Sequence, residues 1–563
     1  LKSLGGFKLF QSSPHLLVMK LMGPRDSNSF KAALREFDDS RSYVSLPPVS
    51  SITYQGTFNQ HSYLVGQPAL EDVTCAMDWG RMPAPNDAEE LWLGCVLKSR
   101  RDGQPRDSTP IDLVAVLDTS GSMRGPVGAF SGQSRLALAK EALKAMLPCL
   151  RPDDRFGLAT FTHVGTVVQP MQSVASLSTE GLHEAIDRLS AGGGTTIAAG
   201  LQAAVDAVDG AGKLSGFRHK RLLFLTDMED TSAKTLGDLI KKQAEHGNYV
   251  SFVGIGTGFN STLAEEATKH RGANYHCITR DEELKKIMVN DFAWNFFPVA
   301  FEVEVALQSD HFELAGLYGT SFDAREEMVE ADWHPDTHRF YPEAFKSQAR
   351  TLLLCARRLV RSSLPMPVLR TLLGFLSPCV RTVARVDTIF PSPMEDNGAV
   401  EGGLVLLRLR ELGSSGAGVA RLVLRYNVQG VESSRCQDIR IEAPSGGTPN
   451  AVIQKGVRLQ QYVEACRRYL QVAHALGQGK TAKGAAPDPE LQAALANIHT
   501  LQEQFHAWKE AESTCPGVSG ELDKFAKLAE KHFKSLEPSE EKAATSAPAE
   551  AEALNKELLT FSP

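Results

Sequence analysis

One short stretch, residues 111–123, constrains the fold more than any other part of the chain. It opens with the apolar run Ile-Asp-Leu-Val-Ala-Val-Leu and reaches Asp118. A short apolar run with β-branched members is typical of a strand buried on both faces of a parallel sheet. Two hydroxyls follow at Ser120 and Ser122, with Gly121 between them. The stretch therefore predicts a buried strand that ends in a loop carrying oxygen ligands.

The place of these oxygens in the sheet suggests a cation site. Open α/β sheets bind ligands at the carboxyl ends of their strands. A carboxylate and two hydroxyls suit a cation such as Mg²⁺, which prefers oxygen ligands at about 2.0–2.1 Å. The alternative for Ser120 and Ser122 is helix capping, because serine commonly occupies the position before a helix.

The sequence Asp-Thr-Ser-Gly-Ser at residues 118–122 resembles the Asp-x-Ser-x-Ser signature of the von Willebrand factor A (VWA) domain and its metal-ion-dependent adhesion site. In that family a threonine follows a Gly-rich turn, and an aspartate ends a later buried strand. Both occur here in that order, while Thr196, next to the matching threonine, is predicted to cap a helix. The resemblance implies that five residues bind Mg²⁺ or Mn²⁺, directly or through water: Asp118, Ser120, Ser122, Thr195 and Asp227.

Strand and helix patterns alternate from residue 111 to about residue 297. This alternation predicts a parallel sheet with helices on both faces. We expect residues 164–171 to form an antiparallel edge strand and residues 281–297 to form the last helix of the VWA domain. The predicted fold class is α/β, a doubly wound, mostly parallel VWA sheet inserted in a β-rich, sandwich-like domain and followed by a helical C-terminal region.

The patterns divide the chain into six predicted segments. They are an irregular N-terminal extension (1–50), strands of a β-rich domain (51–109), the VWA domain (110–297), the rest of the β-rich domain (298–450), a helical region (451–536) and a disordered tail (537–563). Within the second segment we expect strands at 51–58, 72–79 and 90–98. This domain order resembles that of inter-alpha-trypsin inhibitor heavy chains and some bacterial multidomain VWA proteins.

An Arg- and Leu-rich stretch at about 345–385 interrupts the second β-rich segment. We interpret it as an insertion or helical hairpin packed on the domain. The alternative is a helix that lies on a membrane surface or binds a partner, but the arginines are not confined to one face.

Charge and composition exclude several classes of function. The net charge is −7 and the pI about 6.1, which does not suggest a nucleic-acid partner, since such proteins are usually basic. We find no apolar run of about 18 residues, so no transmembrane segment is predicted. The nine cysteines are odd in number and include no Cys-x-x-Cys pair. Reduced thiols in a cytoplasmic protein are therefore the preferred interpretation.

The resemblance implies that one coordination position of the metal accepts an Asp or Glu carboxylate from a partner protein. The sequence around the motif contains no nucleophile–base arrangement, so we predict no enzyme. The leading hypothesis is a divalent-cation-dependent protein-interaction module in a scaffold or adaptor. One alternative is a secreted or surface adhesion or matrix protein. Another is a non-catalytic fragment of a VWA-containing ubiquitin ligase, although no RING-type Cys/His array is present.

Two features of the sequence near the predicted metal site need separate interpretation. Met228, Glu229 and Asp230 follow Asp227, where the family often has glycine, so they are expected to crowd or recharge the rim of the site. Added carboxylates would favour a cation but repel an acidic ligand. His163 also falls near this edge, and we interpret it as a solvent-facing loop residue rather than a ligand.

Overall fold

The computed structural model describes most of the chain between residues 46 and 536. The described ranges are 46–64, 71–83, 89–104, 106–128, 132–212, 214–229, 236–256, 270–309, 311–319, 380–411, 419–428, 434–442, 450–478, 488–508 and 517–536, with single positions at 30, 34, 66, 69, 263 and 515. Three predictions lie outside these residues: the extension before residue 46, the insertion as far as residue 379 and the tail from residue 537.

The first predicted strand, residues 51–58, is wrong, because a short helix forms at Tyr54–Phe58. Thr53 caps this helix, and its Oγ1 accepts a hydrogen bond from the backbone nitrogen of Gly56 at 3.0 Å. Tyr54 and Phe58, one helical turn apart, are both buried. The alternating pattern in this stretch therefore serves one face of a helix.

Nine of the described strands lie in the first half of the chain. Three precede the apolar stretch: β1 (Ser62–Leu64), β2 (Val73–Pro83) and β3 (Glu89–Ser99). The next six build one sheet: β4 (Ile111–Asp118), β5 (Arg155–Phe161), β6 (Gly165–Ser173), β7 (His219–Thr226), β8 (Asn248–Ile255) and β9 (Asn274–Ile278).

The six-stranded sheet has the order β6-β5-β4-β7-β8-β9. Strands β5, β4, β7, β8 and β9 run parallel, and β6 pairs antiparallel with β5 at the edge, as predicted. The chain leaves β4 for β5 on one side and later reaches β7 on the other. The direction of winding thus reverses at β4, which is where doubly wound sheets bind ligands.

Strand β4 is buried along its whole length because helices cover both faces of the sheet. Leu113 and Leu117 belong to a core shared with the helices Arg135–Met146 and Thr179–Arg188. Val116, on the opposite face, packs in a second core formed with the helices Ile197–Gly210 and Leu236–Glu245. This core also contains Val114, Leu222 and Phe224. The two cores confirm the predicted α/β class.

The second group of strands completes the β-rich domain. They are β10 (Ala300–Gln308), β11 (Phe312–Tyr318), β12 (Val380–Ile389), β13 (Ala399–Glu401), β14 (Leu404–Glu411), β15 (Val419–Val428) and β16 (Arg435–Glu442). One sheet has the order β12-β10-β15-β16 and the other β11-β14-β3-β2. A common core joins them, with Leu93 and Leu407 from one sheet and Val303 and Leu422 from the other. Since β2 and β3 precede the parallel sheet, that sheet is inserted in a β-sandwich, as predicted.

Two further predictions need correction. Strand β12 begins at Val380, so the last residues of the predicted insertion, 380–385, are strand. The predicted helix at 281–297 is interrupted: α-helix at Asp281–Lys285 gives way to a π-helical turn at Lys286–Asn290 and a short helix at Phe292–Asn295. The Asp291 nitrogen donates to the Lys286 carbonyl, five residues back, which is the spacing of a π turn.

The helical region contains the helices Ala451–Gln478, Pro489–Ala507 and Val518–Leu536. Described residues from Thr53 to Val457 form one compact unit, and those from Arg458 onward belong to a second. In the second unit Tyr469 donates from its hydroxyl to the Ala529 carbonyl at 2.7 Å, which ties two helices together. No helix in the described ranges has the length and apolar content needed to cross a membrane.

Candidate metal centre at the carboxyl edge of the sheet

The loop after β4 brings the first three predicted ligands together. Ser120 donates from its backbone nitrogen to Oδ1 of Asp118 at 2.8 Å, and the hydroxyls of Ser120 and Ser122 lie 3.0 Å apart. The 3₁₀ turn Gly121–Arg124 begins directly after Ser120, yet the Ser120 side chain makes no capping hydrogen bond to it. The alternative in which this serine serves only as a helix cap is therefore not what the structure shows.

The Gly-rich turn is fixed against this first loop by backbone hydrogen bonds. Gly121 donates to the carbonyl of Gly193 at 2.9 Å, and Gly192 donates to the carbonyl of Thr119 at 2.7 Å. Gly193 has a φ of +83°, a left-handed conformation that glycine adopts without strain. These bonds hold the turn against the loop after β4, two residues before the half-buried Thr195. Thr196 occupies the predicted cap position, but its side chain makes no capping hydrogen bond.

The third loop, after β7, supplies Asp227 together with a residue that the sequence analysis missed. Thr226 donates from Oγ1 to Oδ2 of Asp118 at 2.6 Å, so it joins the two strand ends directly. Asp118, Thr226 and Asp227 are all fully buried. The signal for Thr226 was its hydroxyl at the last position of a buried strand, directly before the predicted ligand.

Asp118 is a buried charge without a basic partner among the described residues. Its two oxygens accept hydrogen bonds from the Ser120 nitrogen and the Thr226 hydroxyl. Burial raises the pKa of Asp118 to about 6, and the neighbouring charge of Asp227 adds to this rise, while the hydrogen bonds oppose it. A cation at this position would supply the missing positive charge. The donor set, two carboxylates and several hydroxyls, fits a hard divalent cation.

The site depends on hydroxyls rather than on a dense group of charged ligands. Over the described ranges, no cluster of three or more His, Cys, Asp or Glu side chains has a geometry that could hold a metal. Zinc sites of the usual Cys/His type are built from such clusters. The residues present here instead offer the hard oxygen chemistry that was predicted for Mg²⁺ or Mn²⁺.

Asp227 has a basic partner, Arg135, which the sequence analysis did not identify. Nη1 of Arg135 donates to Oδ2 of Asp227 at 2.7 Å and to Oε1 of Glu229 at 2.8 Å. The arginine begins the helix Arg135–Met146, 92 residues before its partner. The only signal in the sequence was that Arg135 follows Ser134, the N-cap of the helix, because the start of this helix lies near the carboxyl edge of the sheet.

The residues after Asp227 do not crowd the site in the way that was expected. Met228 has a φ of +57°, and its side chain is fully buried in the core beneath the sheet edge. The left-handed conformation is one that glycine adopts more readily than methionine. Glu229 pairs with Arg135, and Asp230 lies outside the described residues. The prediction that Met228 crowds the rim of the site is therefore wrong. The negative charge that Glu229 adds to the rim is offset by the positive charge of Arg135.

His163 is exposed, in keeping with its interpretation as a loop residue. Its Nδ1 lies 3.5 Å from the Thr162 hydroxyl, a long contact. An ideal Cβ on Gly193 would also lie 3.5 Å from this nitrogen, so the histidine borders the Gly-rich turn. It lines the rim beside the candidate centre.

The comparisons with known proteins agree with this sheet. Residues 113–229 match the model of the von Willebrand factor type A domain. This part of the chain is a VWA domain. The match spans β4 to the loop after β7, which includes all three loops of the candidate centre.

Two curated relatives share part of the chain. "Uncharacterized protein YfbK" of Escherichia coli strain K12 is 25% identical over 246 residues, 43% of this chain and 41% of that protein. "Uncharacterized protein sll0103" of Synechocystis is 31% identical over 147 residues, 26% of this chain and 31% of that protein. The chain thus matches less than half the length of either relative.

The solved structures with similar folds include "von Willebrand factor type A from Catenulispora acidiphila". It is 13% identical and covers 83% of this chain, with 98% of its own length matched and a TM-score of 0.45. Proteins with VWA domains are mostly non-catalytic, and the domain commonly mediates protein–protein interaction.

Proposed function

We propose that the carboxyl edge of the VWA sheet binds Mg²⁺ or Mn²⁺ and, through that cation, an Asp or Glu carboxylate of a partner protein. The observation that carries this proposal is Asp118. It is fully buried, the hydrogen-bond donors that the described residues offer it are neutral, and it lies close enough to Asp227 for the second charge to raise its pKa. A buried charge of this kind is costly unless a counter-charge is supplied.

The residues of this chain divide the proposed work among them. Asp118, Ser120 and Ser122 offer oxygens from the first loop, Thr195 from the second and Asp227 from the third. Thr226 orients Asp118 by donating to its Oδ2. When bound, the cation would supply a Lewis-acidic position for an incoming carboxylate. Binding of that carboxylate makes and breaks no covalent bond in either protein, so the proposed role is that of a scaffold or adaptor and not of an enzyme.

Direct cation titration tests the first half of this proposal. We would titrate Mg²⁺ and Mn²⁺ by calorimetry into the full chain, an Asp118→Ala variant and an Asp209→Ala control. Asp209 is exposed at the end of the helix Ile197–Gly210, so the control removes a carboxylate away from the three loops. We expect saturable binding by the native chain and the control, and none by Asp118→Ala. Equal binding by all three proteins would contradict the proposal.

Partner capture tests the second half. Immobilised native chain and Asp118→Ala would be compared in Mg²⁺ and in chelator, with bound proteins quantified by mass spectrometry. A partner of the proposed kind is lost both on chelation and in the variant. Replacing its contacting Glu or Asp by the amide should abolish binding as well. A partner that binds regardless of Asp118 and of the chelator would place the interaction surface elsewhere. A cytoplasmic location stays a prediction.

A further inference from the structure

Arg135 places a protein cation directly on one of the proposed metal ligands. Its Nη1 donates to Asp227 at 2.7 Å and to Glu229 at 2.8 Å. The Arg135 side chain is 14% exposed and that of Asp227 is fully buried, whereas Glu229 is 46% exposed. The two aspartates of the centre therefore differ, because Asp227 has an internal counter-charge and Asp118 has none among the described residues.

The guanidinium group lies close against Gly256, which directly follows β8. A Cβ on Gly256 would lie 3.2 Å from Nε of Arg135, so a side chain there would crowd the arginine. The Arg135 backbone is also fixed, because its nitrogen donates to the Gly125 carbonyl at 2.9 Å. The arginine is thus seated in a defined position and is not a loose surface residue.

We propose that Arg135 competes with the divalent cation for Asp227 and thereby sets the cation affinity of the centre. This inference rests on the proposed function. A cation bound at Asp227 would lie close to the positive charge of Arg135. Two like charges that are close together repel strongly when they are shielded from water. The same arginine neutralises Asp227 while the cation is absent. Arg135 therefore favours the metal-free state, and the centre loads only at elevated cation concentration.

Glu229 moderates the arginine. It shares Nη1 of Arg135 with Asp227, so its charge draws the guanidinium partly away from the buried ligand. Without Glu229, Arg135 would pair with Asp227 alone. Glu229 therefore raises cation affinity through Arg135, and its effect should depend on that arginine.

A double-mutant cycle tests this competition. Mn²⁺ would be titrated by electron paramagnetic resonance into the full-length native chain, Arg135→Gln, Glu229→Gln and the double variant at pH 8. The control is Arg124→Gln, which removes an exposed arginine of the same edge whose guanidinium donates to the Ala191 carbonyl and not to a carboxylate of the centre. We expect Mn²⁺ to bind about tenfold more tightly to Arg135→Gln, and Arg124→Gln to change affinity by less than about threefold because solvent screens its charge.

The cycle also separates the action of Glu229 from direct metal ligation. Glu229→Gln should weaken Mn²⁺ binding by about threefold or more in the native background. In the Arg135→Gln background, Glu229→Gln should change Mn²⁺ affinity by no more than about twofold. If Glu229 acts only through Arg135, its effect disappears when the arginine is absent, so the two substitutions are not additive. An equal loss in both backgrounds would show that Glu229 acts on the cation itself and would overturn its proposed route through Arg135.

Three outcomes distinguish this inference from the function on which it rests. Binding by Arg135→Gln but not by the native chain would support the competition. Equal affinity in the native chain and a folded Arg135→Gln, checked by circular dichroism, would overturn the competition alone and leave the metal centre intact. Absence of Mn²⁺ binding in every variant would overturn both. If Arg135→Gln does not fold, Arg135→Met replaces it in the cycle, and unchanged affinity in Glu229→Gln would also overturn the inference.

Discussion

Strand β4 carries a buried aspartate near each end, and the two have different electrostatic surroundings. Asp112, at the amino end, accepts from Nε of Arg155 at 2.8 Å and from Nε of Arg218 at 2.6 Å. Asp118, at the carboxyl end, accepts from the Ser120 nitrogen and the Thr226 hydroxyl, and no basic side chain among the described residues pairs with it. The charge at the amino end is balanced by the protein, whereas the charge at the carboxyl end is not.

A third buried carboxylate shows the electrostatic consequence. Asp154 lies just before β5 and accepts from Nη1 of Arg106 at 2.7 Å and from the Ile111 nitrogen at 2.9 Å. Burial tends to raise the pKa of Asp154, but these hydrogen bonds and the arginine outweigh it and hold the pKa below its usual value. Burial without a basic partner raises the pKa of Asp118 to about 6.

The carboxylates at the two ends of the sheet therefore differ in what a ligand could add to them. The amino-end carboxylates are complete ion pairs, which serve the fold and leave nothing for a ligand to add. The carboxyl-end site is electrostatically incomplete, and a bound cation would complete it. Sites that are unfavourable in the isolated protein but favourable with a ligand are a common sign of function.

The largest effect is expected at the amino end. Replacing Arg106 by Met leaves the carboxylate of Asp154 buried without its charge partner, which should cost about 3–5 kcal/mol of unfolding free energy. Urea unfolding at pH 7.5 measures this. Because the loss lies away from the candidate centre, the stabilisation added by saturating Mg²⁺ should be the same as in the native chain. A loss below about 1 kcal/mol would break the comparison, since Asp154 would then not depend on Arg106.

The carboxyl end should respond in the opposite direction. Asp118→Asn keeps the shape of the side chain and removes a charge that burial disfavours. With the pKa near 6, about two units above the ordinary value, we expect a gain of about 2–3 kcal/mol at pH 7.5 without divalent cations. Mg²⁺ should no longer stabilise the variant. Asp209→Asn, at an exposed position, serves as the control, and a destabilised Asp118→Asn would contradict the expectation.

The pH dependence of the native chain sharpens the same point. The folded-state pKa of Asp118, about 6, lies above the unfolded value of 3.8. The stabilisation from its protonated form is therefore fully present below about pH 4 and is lost as pH rises through 6, at up to about 1.4 kcal/mol per pH unit.

Mg²⁺ should reverse this trend because it binds the ionised carboxylate. We expect the Mg²⁺-induced rise in unfolding temperature to be small at pH 5 and large at pH 8. Asp118→Asn should show neither the cation effect nor its pH dependence. A Mg²⁺ effect that is constant across this range would argue that another group governs the centre.

Much of this arrangement could be predicted from the sequence because it is local. A buried parallel strand reads as an apolar run, and the residues that follow it must lie at the carboxyl edge. That rule placed Asp118, Ser120 and Asp227 at the same edge, and the alternation of strands and helices predicted the inserted sheet. The short helix Tyr54–Phe58 was missed because five residues with two large apolar side chains fit either period.

The charge partners could not be predicted, because each joins positions far apart in the sequence. Arg135 and Asp227 are separated by 92 residues, Asp112 and Arg155 by 43, and Asp112 and Arg218 by 106. Strand order and helix rotation decide which arginine reaches which carboxylate, and no periodic pattern records either. The difference between the two ends of β4 is therefore a property of the folded chain.

The smallest expected change in stability concerns Thr226, whose hydroxyl donates a hydrogen bond to Asp118 where a basic side chain is absent among the described residues. Thr226→Val removes the donor to Asp118 Oδ2 and the acceptor of the Met228 nitrogen, which lies 3.0 Å from Thr226 Oγ1. We expect a cost of about 1–2 kcal/mol in urea unfolding at pH 7.5. In the Asp118→Asn background the cost should fall, because a neutral amide oxygen gains less from the donor than a carboxylate does. An equal cost in both backgrounds would mean that Thr226 supports the backbone turn at Met228 and not the charge of Asp118, which would leave the carboxyl-end aspartate even less compensated than the geometry indicates.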